Sequence, residues 1–158
     1  MSETTLARPV TPFAHSLKWG LATLVVAIGA AIYGAYGDPN PKVDQENAVP
    51  FICAVIAVVA IGIYGALLPA GLRGIGTHTA RWSGWALALG IVALGSTPVS
   101  FWSGLPVLLG TAGAVLGSAG RHAGTAKRGV ATAALVVGSF AAVASLVLLI
   151  LGNTITSA

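Results

Sequence analysis

Few residues of this chain have the type and spacing to do chemistry. His15, His78 and His122 titrate near neutrality and are the side chains that most often hold transition metals. They lie in three separate segments, and no Cys or carboxylate stands near them at metal-ligand spacing. Solvated loop positions are therefore expected for all three. Asp38, Asn40, Asp44 and Glu46 in "GDPNPKVDQENAVP" offer oxygen ligands of the kind calcium takes. Pro39 and Pro41 interrupt that stretch, however, and the Gly and bidentate Glu positions of a calcium loop are missing, so a solvated turn is expected. Cys53 is the single cysteine and cannot form an intramolecular disulfide; inside an apolar run it reads as a small packing residue. "GSAG", "GTAG" and "SGWA" are not nucleophile elbows, and no Ser, Thr or Cys has a base and an orienting group in pattern with it. "GTAGAVLGSAG" lacks the Gly-Lys-Ser/Thr ending of a phosphate loop. The expectation is a protein without catalytic activity, cofactor or metal.

The same "GTAGAVLGSAG" carries a different signal. Gly110, Gly113, Gly117 and Gly120 recur at helical spacing and are expected on one face, with Gly113 and Gly117 as a GxxxG pair. Further on, Ala131, Ala134, Gly138, Ala142 and Ser145 form a second stripe of small residues. In lipid, helices gain little from hydrophobic burial against one another. Close van der Waals approach over small side chains supplies much of their association. Gly110, Gly113, Gly117, Gly120, Ala134, Gly138 and Ala142 are the candidate packing residues, joining these helices to each other or to a partner.

Composition says which solvent these helices meet. Of 158 residues, 56% are hydrophobic and only 8% charged, and the mean hydropathy is +0.88. A soluble domain covers its surface with roughly 25% charged residues. This chain is expected to be an integral membrane protein, all-α, with the bilayer as its first partner. Its net charge of +4 does not point to nucleic acid, because the basic residues are scattered between apolar runs rather than gathered into a water-facing patch.

A helix rising 1.5 Å per residue needs about 20 residues to cross a core of about 30 Å. Five segments approach that length: about 19–36, 50–70, 82–96, 103–120 and 130–151. They form a single transmembrane domain, 19–151, flanked by a cytoplasmic tail, 1–18, and an external tail, 152–158. The third and fourth segments are short. Pro98 in "STPVSFWSGLP" disfavours helix at Thr97, and Ser103 is suited to cap a new one, which predicts a hairpin there. A single re-entrant segment is the alternative.

Charge orients the bundle. With the N-terminus inside, Arg8, Lys18, Arg73, Arg81, Arg121, Lys127 and Arg128 fall on the cytoplasmic side, seven of the eight Lys and Arg, and only Lys42 falls outside. Five crossings then put the C-terminus outside. Trp19, Trp82 and Trp85 mark the inner boundary, and Tyr33, Tyr36, Phe51, Phe101 and Trp102 the outer one. Arg121, Lys127 and Arg128 form a basic cluster expected against lipid headgroups, where each charge near an anionic leaflet gains about 1 kcal/mol. No Asp, Glu, Lys, Arg or His lies within the apolar spans, which argues against a proton-coupled transporter, a pump or a voltage sensor.

One repeat stands out. "VVAIGAAIYGA" (Val25–Ala35) and "VVAIGIYGA" (Val58–Ala66) differ by an inserted Ala-Ala. Inverted repeats of transporters span several helices around a polar site. This match ends after one helix, so it is read as low complexity, with "VVAIG" expected at the close-packed midpoint of the first helical hairpin.

"PVLLGTAGAVLGSAGR", a short basic loop, and then "KRGVATAALVVGSF" together resemble a small glycine-rich membrane domain of unknown function from actinobacterial proteins. The resemblance covers about 85–151 and implies two packed helices around a basic turn. It implies no activity and no site residue. Together these readings predict a bacterial inner (plasma) membrane protein, multi-pass, serving as an accessory or structural subunit. It would pack against a larger membrane complex or against itself through small-residue faces. A small oligomeric transporter or channel with a backbone-lined path is the alternative.

Overall fold

The computed structural model describes residues 12–36, 43–123 and 128–156. All of its elements are helical. Helix α1 runs Pro12–Tyr36, and α2 runs Val43–Ala60. A π-helical stretch, Ile61–Leu67, continues α2 directly into α3, Leu68–Gly74. Helix α4 spans Thr79–Ser100, a 3-10 turn covers Phe101–Ser103, α5 spans Leu105–Ala123, and α6 spans Arg128–Thr156. Among the described residues, 4 segments are long and apolar enough to cross a membrane: Phe13–Tyr36, Asn47–Gly74, Thr79–Ser103 and Arg128–Ile155. The protein is thus an α-helical chain with the makeup of a multi-pass membrane protein.

The helices are longer than the apolar runs that announce them. Helix α1 begins at Pro12 rather than near Trp19; proline is tolerated there because a first-turn N–H has no intrahelical partner. Helix α2 begins at Val43 and carries Pro50 inside it. Helix α6 continues to Thr156, through most of the expected external tail, where the Asn153 side-chain amide donates to the Tyr33 carbonyl (3.1 Å).

The expected break at Thr97–Pro98 does not occur. Helix α4 passes through Pro98 to Ser100, giving 22 residues rather than a short or re-entrant segment. Hydroxyls brace this last turn. Thr97 Oγ1 and Ser96 Oγ donate to Ala93 O (2.8 and 3.0 Å), and Ser100 Oγ donates to Ser96 O (2.9 Å). Pro98 gives up one backbone bond, the one to Leu94 O, without ending the helix. The reversal comes later, at Gly104, whose φ of 71° lies in the left-handed region. A side chain there would also meet the Ala27 backbone.

Helix α5 lies at the centre. It is not among the spanning candidates, yet ten of its residues are buried, from Pro106 to Gly120. Helices α4 and α6 pack along it on one side, α1 and α3 on the other. Helix α4 presents Ser83, Ala86, Gly90, Ala93 and Thr97 to the interior. Helix α6 presents Ala131, Ala134, Gly138, Ala141, Ser145 and Leu149. The outer faces carry large apolar side chains such as Val25, Phe51, Ile91, Phe140 and Ile155, as lipid contact requires.

Candidate functional site

The predicted packing residues meet in a seam where α4, α5 and α6 converge. A Cβ added to Gly138 would sit 2.5 Å from Gly110 O and 2.8 Å from Ala114 N. One added to Gly110 would sit 2.6 Å from Gly138 O and 3.1 Å from Ala142 N. Gly117 faces Leu135 N (2.6 Å) and Ala131 O (2.7 Å), next to the fully buried Ala134. The four α5 glycines do not share a single partner. Gly110 and Gly117 face α6, whereas Gly113 faces α4, with its added Cβ 2.8 Å from Ala86 O. Gly120 lies between the two, near Ser83 Oγ and Ala131. The stripe is about 80° wide on a helical wheel, enough to serve two neighbours at once. The α4 half of this seam escaped the sequence reading. Its signal, Ser83-Ala86-Gly90-Ala93-Thr97 at spacings of three and four, was masked by the expectation of a helix ending before Pro98.

The second locus centres on a residue the sequence did not single out, Tyr64. It sits in the middle of the π-helical stretch, is 5% exposed, and extends its phenol across the bundle to donate to Leu108 O (3.0 Å). The Thr23 and Thr111 side chains lie beside the phenol, and Thr23 Oγ1 donates to Trp19 O (2.6 Å). Ser16 Oγ donates to the Tyr64 carbonyl (2.5 Å). Gly20 makes room for the ring, since a Cβ there would come within 2.8 Å of Tyr64 Cβ. A π-helical turn leaves carbonyls without their usual i+4 donor. Ser16 answers one of them. Sequence gives little warning of this, because "VVAIGIYGA" fits a regular helix as well as its twin in α1 does.

Thr23 and Thr111 also line a groove between α1 and α6, floored by α5. Two adjoining hollows of about 530 and 240 Å³ share Trp19, Thr111, Ala142 and Val143. His15 and Ser118 stand at one end, Val107 and Leu146 at the other. Its surface is mostly apolar, with hydroxyls from Thr111, Ser118 and Ser139.

The three histidines stay apart. His15 Nε2 accepts from Trp19 Nε1 (3.2 Å), His78 Nδ1 pairs with Thr77 Oγ1 (2.8 Å), and His122 Nδ1 donates to Ser118 O (2.8 Å). No group of three or more His, Cys, Asp or Glu capable of holding a metal converges among the described residues. Cys53 is part-exposed on α2. Of the expected headgroup contacts, Arg128 is exposed at the start of α6, and Arg121 is part-buried with its Nε enclosed and without a hydrogen-bond partner. Lys127 lies outside the described residues, as do Asp38 and Asn40. Trp82, expected as a boundary anchor, instead lies over Gly71 and Gly74 and fills the corner between α3 and α4.

No family model, curated protein or solved structure matches this chain.

Proposed function

We propose that this chain is a non-catalytic subunit of the bacterial inner membrane, accessory or structural, that packs against a larger membrane complex. In this reading it crosses five times, with the N-terminus cytoplasmic and the C-terminus external. Helix α5 is the innermost crossing and is shielded from lipid by its neighbours. The observation that carries the reading is the α4–α5–α6 seam. Its glycines face neighbouring backbone at about the closest approach atoms allow, which favours a packing role for the stripe over a backbone-lined path. No ionisable residue lies in 19–36, 47–72, 82–120 or 129–156, which removes the usual carriers of proton and ion movement from the interior. The likeness to a glycine-rich actinobacterial domain belongs to the same proposal and supports packing rather than chemistry.

A small oligomeric transporter is the second reading, favoured by the α1–α6 groove. Its hydroxyls would line a path if copies of the chain closed over it.

Native-size measurement in mild detergent tests the first reading. The chain should run in an assembly well above its 15.7 kDa, with a second polypeptide at fixed stoichiometry. A lone monomer overturns it, and a homo-oligomer favours the transporter. Reporter fusions should read Ala158 as external and His78 as cytoplasmic; a cytoplasmic Ala158 ends the five-crossing topology.

A further inference from the structure

The α1–α6 groove has a polarity that the seam lacks. Helical spacing carries each of its walls on to a histidine or arginine at one end only. On α5, Ser118 leads one turn further to His122, which bonds the Ser118 carbonyl. On α6, Leu135 leads through Thr132 to Arg128, and Thr132 Oγ1 donates to Arg128 O (2.8 Å). On α1 the wall begins at His15. Because His15 Nε2 accepts from Trp19, its neutral ring carries the proton on Nδ1, a donor at the mouth. Arg121 precedes His122 on α5, and its Nε is enclosed without a hydrogen-bond partner. No Asp or Glu occurs in 47–158, the stretch that holds α4, α5 and α6. The opposite end, at Val26, Val107 and Leu146, is apolar.

The groove's depth distinguishes between occupants. From His15 to Val26 is eleven residues, about 16 Å of helix, or roughly half of a 30 Å hydrocarbon core. A partner's transmembrane helix would need the full thickness. A single acyl chain descending from one leaflet needs half, and its headgroup would lie at the basic mouth.

We propose that this groove is a binding site for an anionic phospholipid, with an acyl chain along α5 and the phosphate between Arg121, His122 and Arg128. The site rests on the proposed topology only in that the basic end meets headgroups. The hydroxyls of Thr111, Ser118 and Ser139 take the upper part of the chain or the glycerol ester, and the apolar end takes the methyl terminus.

Native mass spectrometry of the unmodified chain should retain one phosphatidylglycerol in preference to phosphatidylcholine. In a chain with Trp82, Trp85 and Trp102 changed to Phe, phosphatidylglycerol with brominated acyl chains should quench Trp19 at lower mole fraction than brominated phosphatidylcholine. Arg128→Gln and Arg121→Gln should each weaken that preference about five-fold. Arg73→Gln, on another basic turn, should leave it unchanged. Ala114→Phe with Ser139→Phe should fill the groove and abolish retention, while Ile91→Phe on the outer face of α4 should not. Equal retention of both lipids, an equal effect of Arg73→Gln, or retention by the filled groove would each overturn the site. Those results would leave the reporter-fusion topology and the native size untouched, so the two readings fail separately.

Discussion

The two sides of α5 are built by opposite means. Toward α4 and α6 it offers glycines, and the contact is backbone on backbone. Toward α1 and the π-helical stretch it offers the Leu108 carbonyl, and the contact is the Tyr64 phenol that donates to it. The first side depends on residues that have no side chain, so any addition harms it. The second depends on polar atoms, so only their removal harms it. Glycine itself makes the point. Gly138 has Gly110 O and Ala114 N where its Cβ would be, while Gly29 and Gly62, in the twin "VVAIG" words, have nothing within 4 Å. The same residue is indispensable in one place and replaceable in the other.

Substitutions can break this contrast, and the largest effect belongs to the seam. Gly138→Leu forces side-chain atoms into the α5 backbone at Gly110, Gly113 and Ala114, and overpacking costs about 3 kcal/mol or more where no flexible neighbour can yield. Size-exclusion of a fluorescent fusion should show loss of the monodisperse peak. If Gly138→Leu keeps its peak and melting temperature, α6 is not seated on α5 as described. Next is Gly104→Ala, which combines an unfavourable left-handed φ with contact against the Ala27 backbone. A loss of about 2 kcal/mol is expected in thermal unfolding in detergent.

Smaller effects belong to the other side. Tyr64→Phe keeps the ring but leaves Leu108 O without the phenol, and intramembrane hydrogen bonds are worth about 0.6 kcal/mol on average and about 1.7 at most. The variant should fold, with a modest drop in melting temperature. Ser16→Ala should cost no more than one such bond. An effect as large as that of Gly138→Leu would show that the phenol network, and not the seam, organises the bundle. Gly29→Ala closes the series: it should be neutral or stabilise slightly, because alanine is the better helix former by up to about 1 kcal/mol and the site is open.

Much of this architecture is legible in the sequence, and the reason is physical. Lipid demands long apolar helices, so their presence and rough places show in composition. Close packing demands small residues at spacings of three and four, so Gly110, Gly117 and Gly138 announce themselves. Helix ends are less legible. Pro12, Pro50 and Pro98 all lie within helices: Pro12 opens α1, where a first-turn N–H has no partner, whereas Pro50 and Pro98 each forgo one backbone bond without ending the helix. The partition of α5's glycines between two neighbours was hidden too, since spacing fixes a face but not what faces it. Least visible was the groove, which arises because α1 leans toward the π-helical stretch and stands off from α6. That is a property of three helices together, and no single segment encodes it.

The π-helical stretch also has a consequence for the chain's phase. Each residue of an α-helix turns the next side chain by about 100°, whereas a π turn holds an additional residue in the same rise. Ile61–Leu67 therefore works as a slipped tooth between two helical gears. Above it, Ile56 and Ala60 face inward; below it, Leu68 and Gly71 do, and Gly71 meets Leu116 and Trp82. Straightening this stretch into a regular ladder without losing a residue would swing everything beyond it by about a quarter turn. Tyr64 would then leave its carbonyl partner, and the glycine surface that receives Trp82 would turn toward lipid. One surplus residue keeps both halves of this helix in register with the bundle.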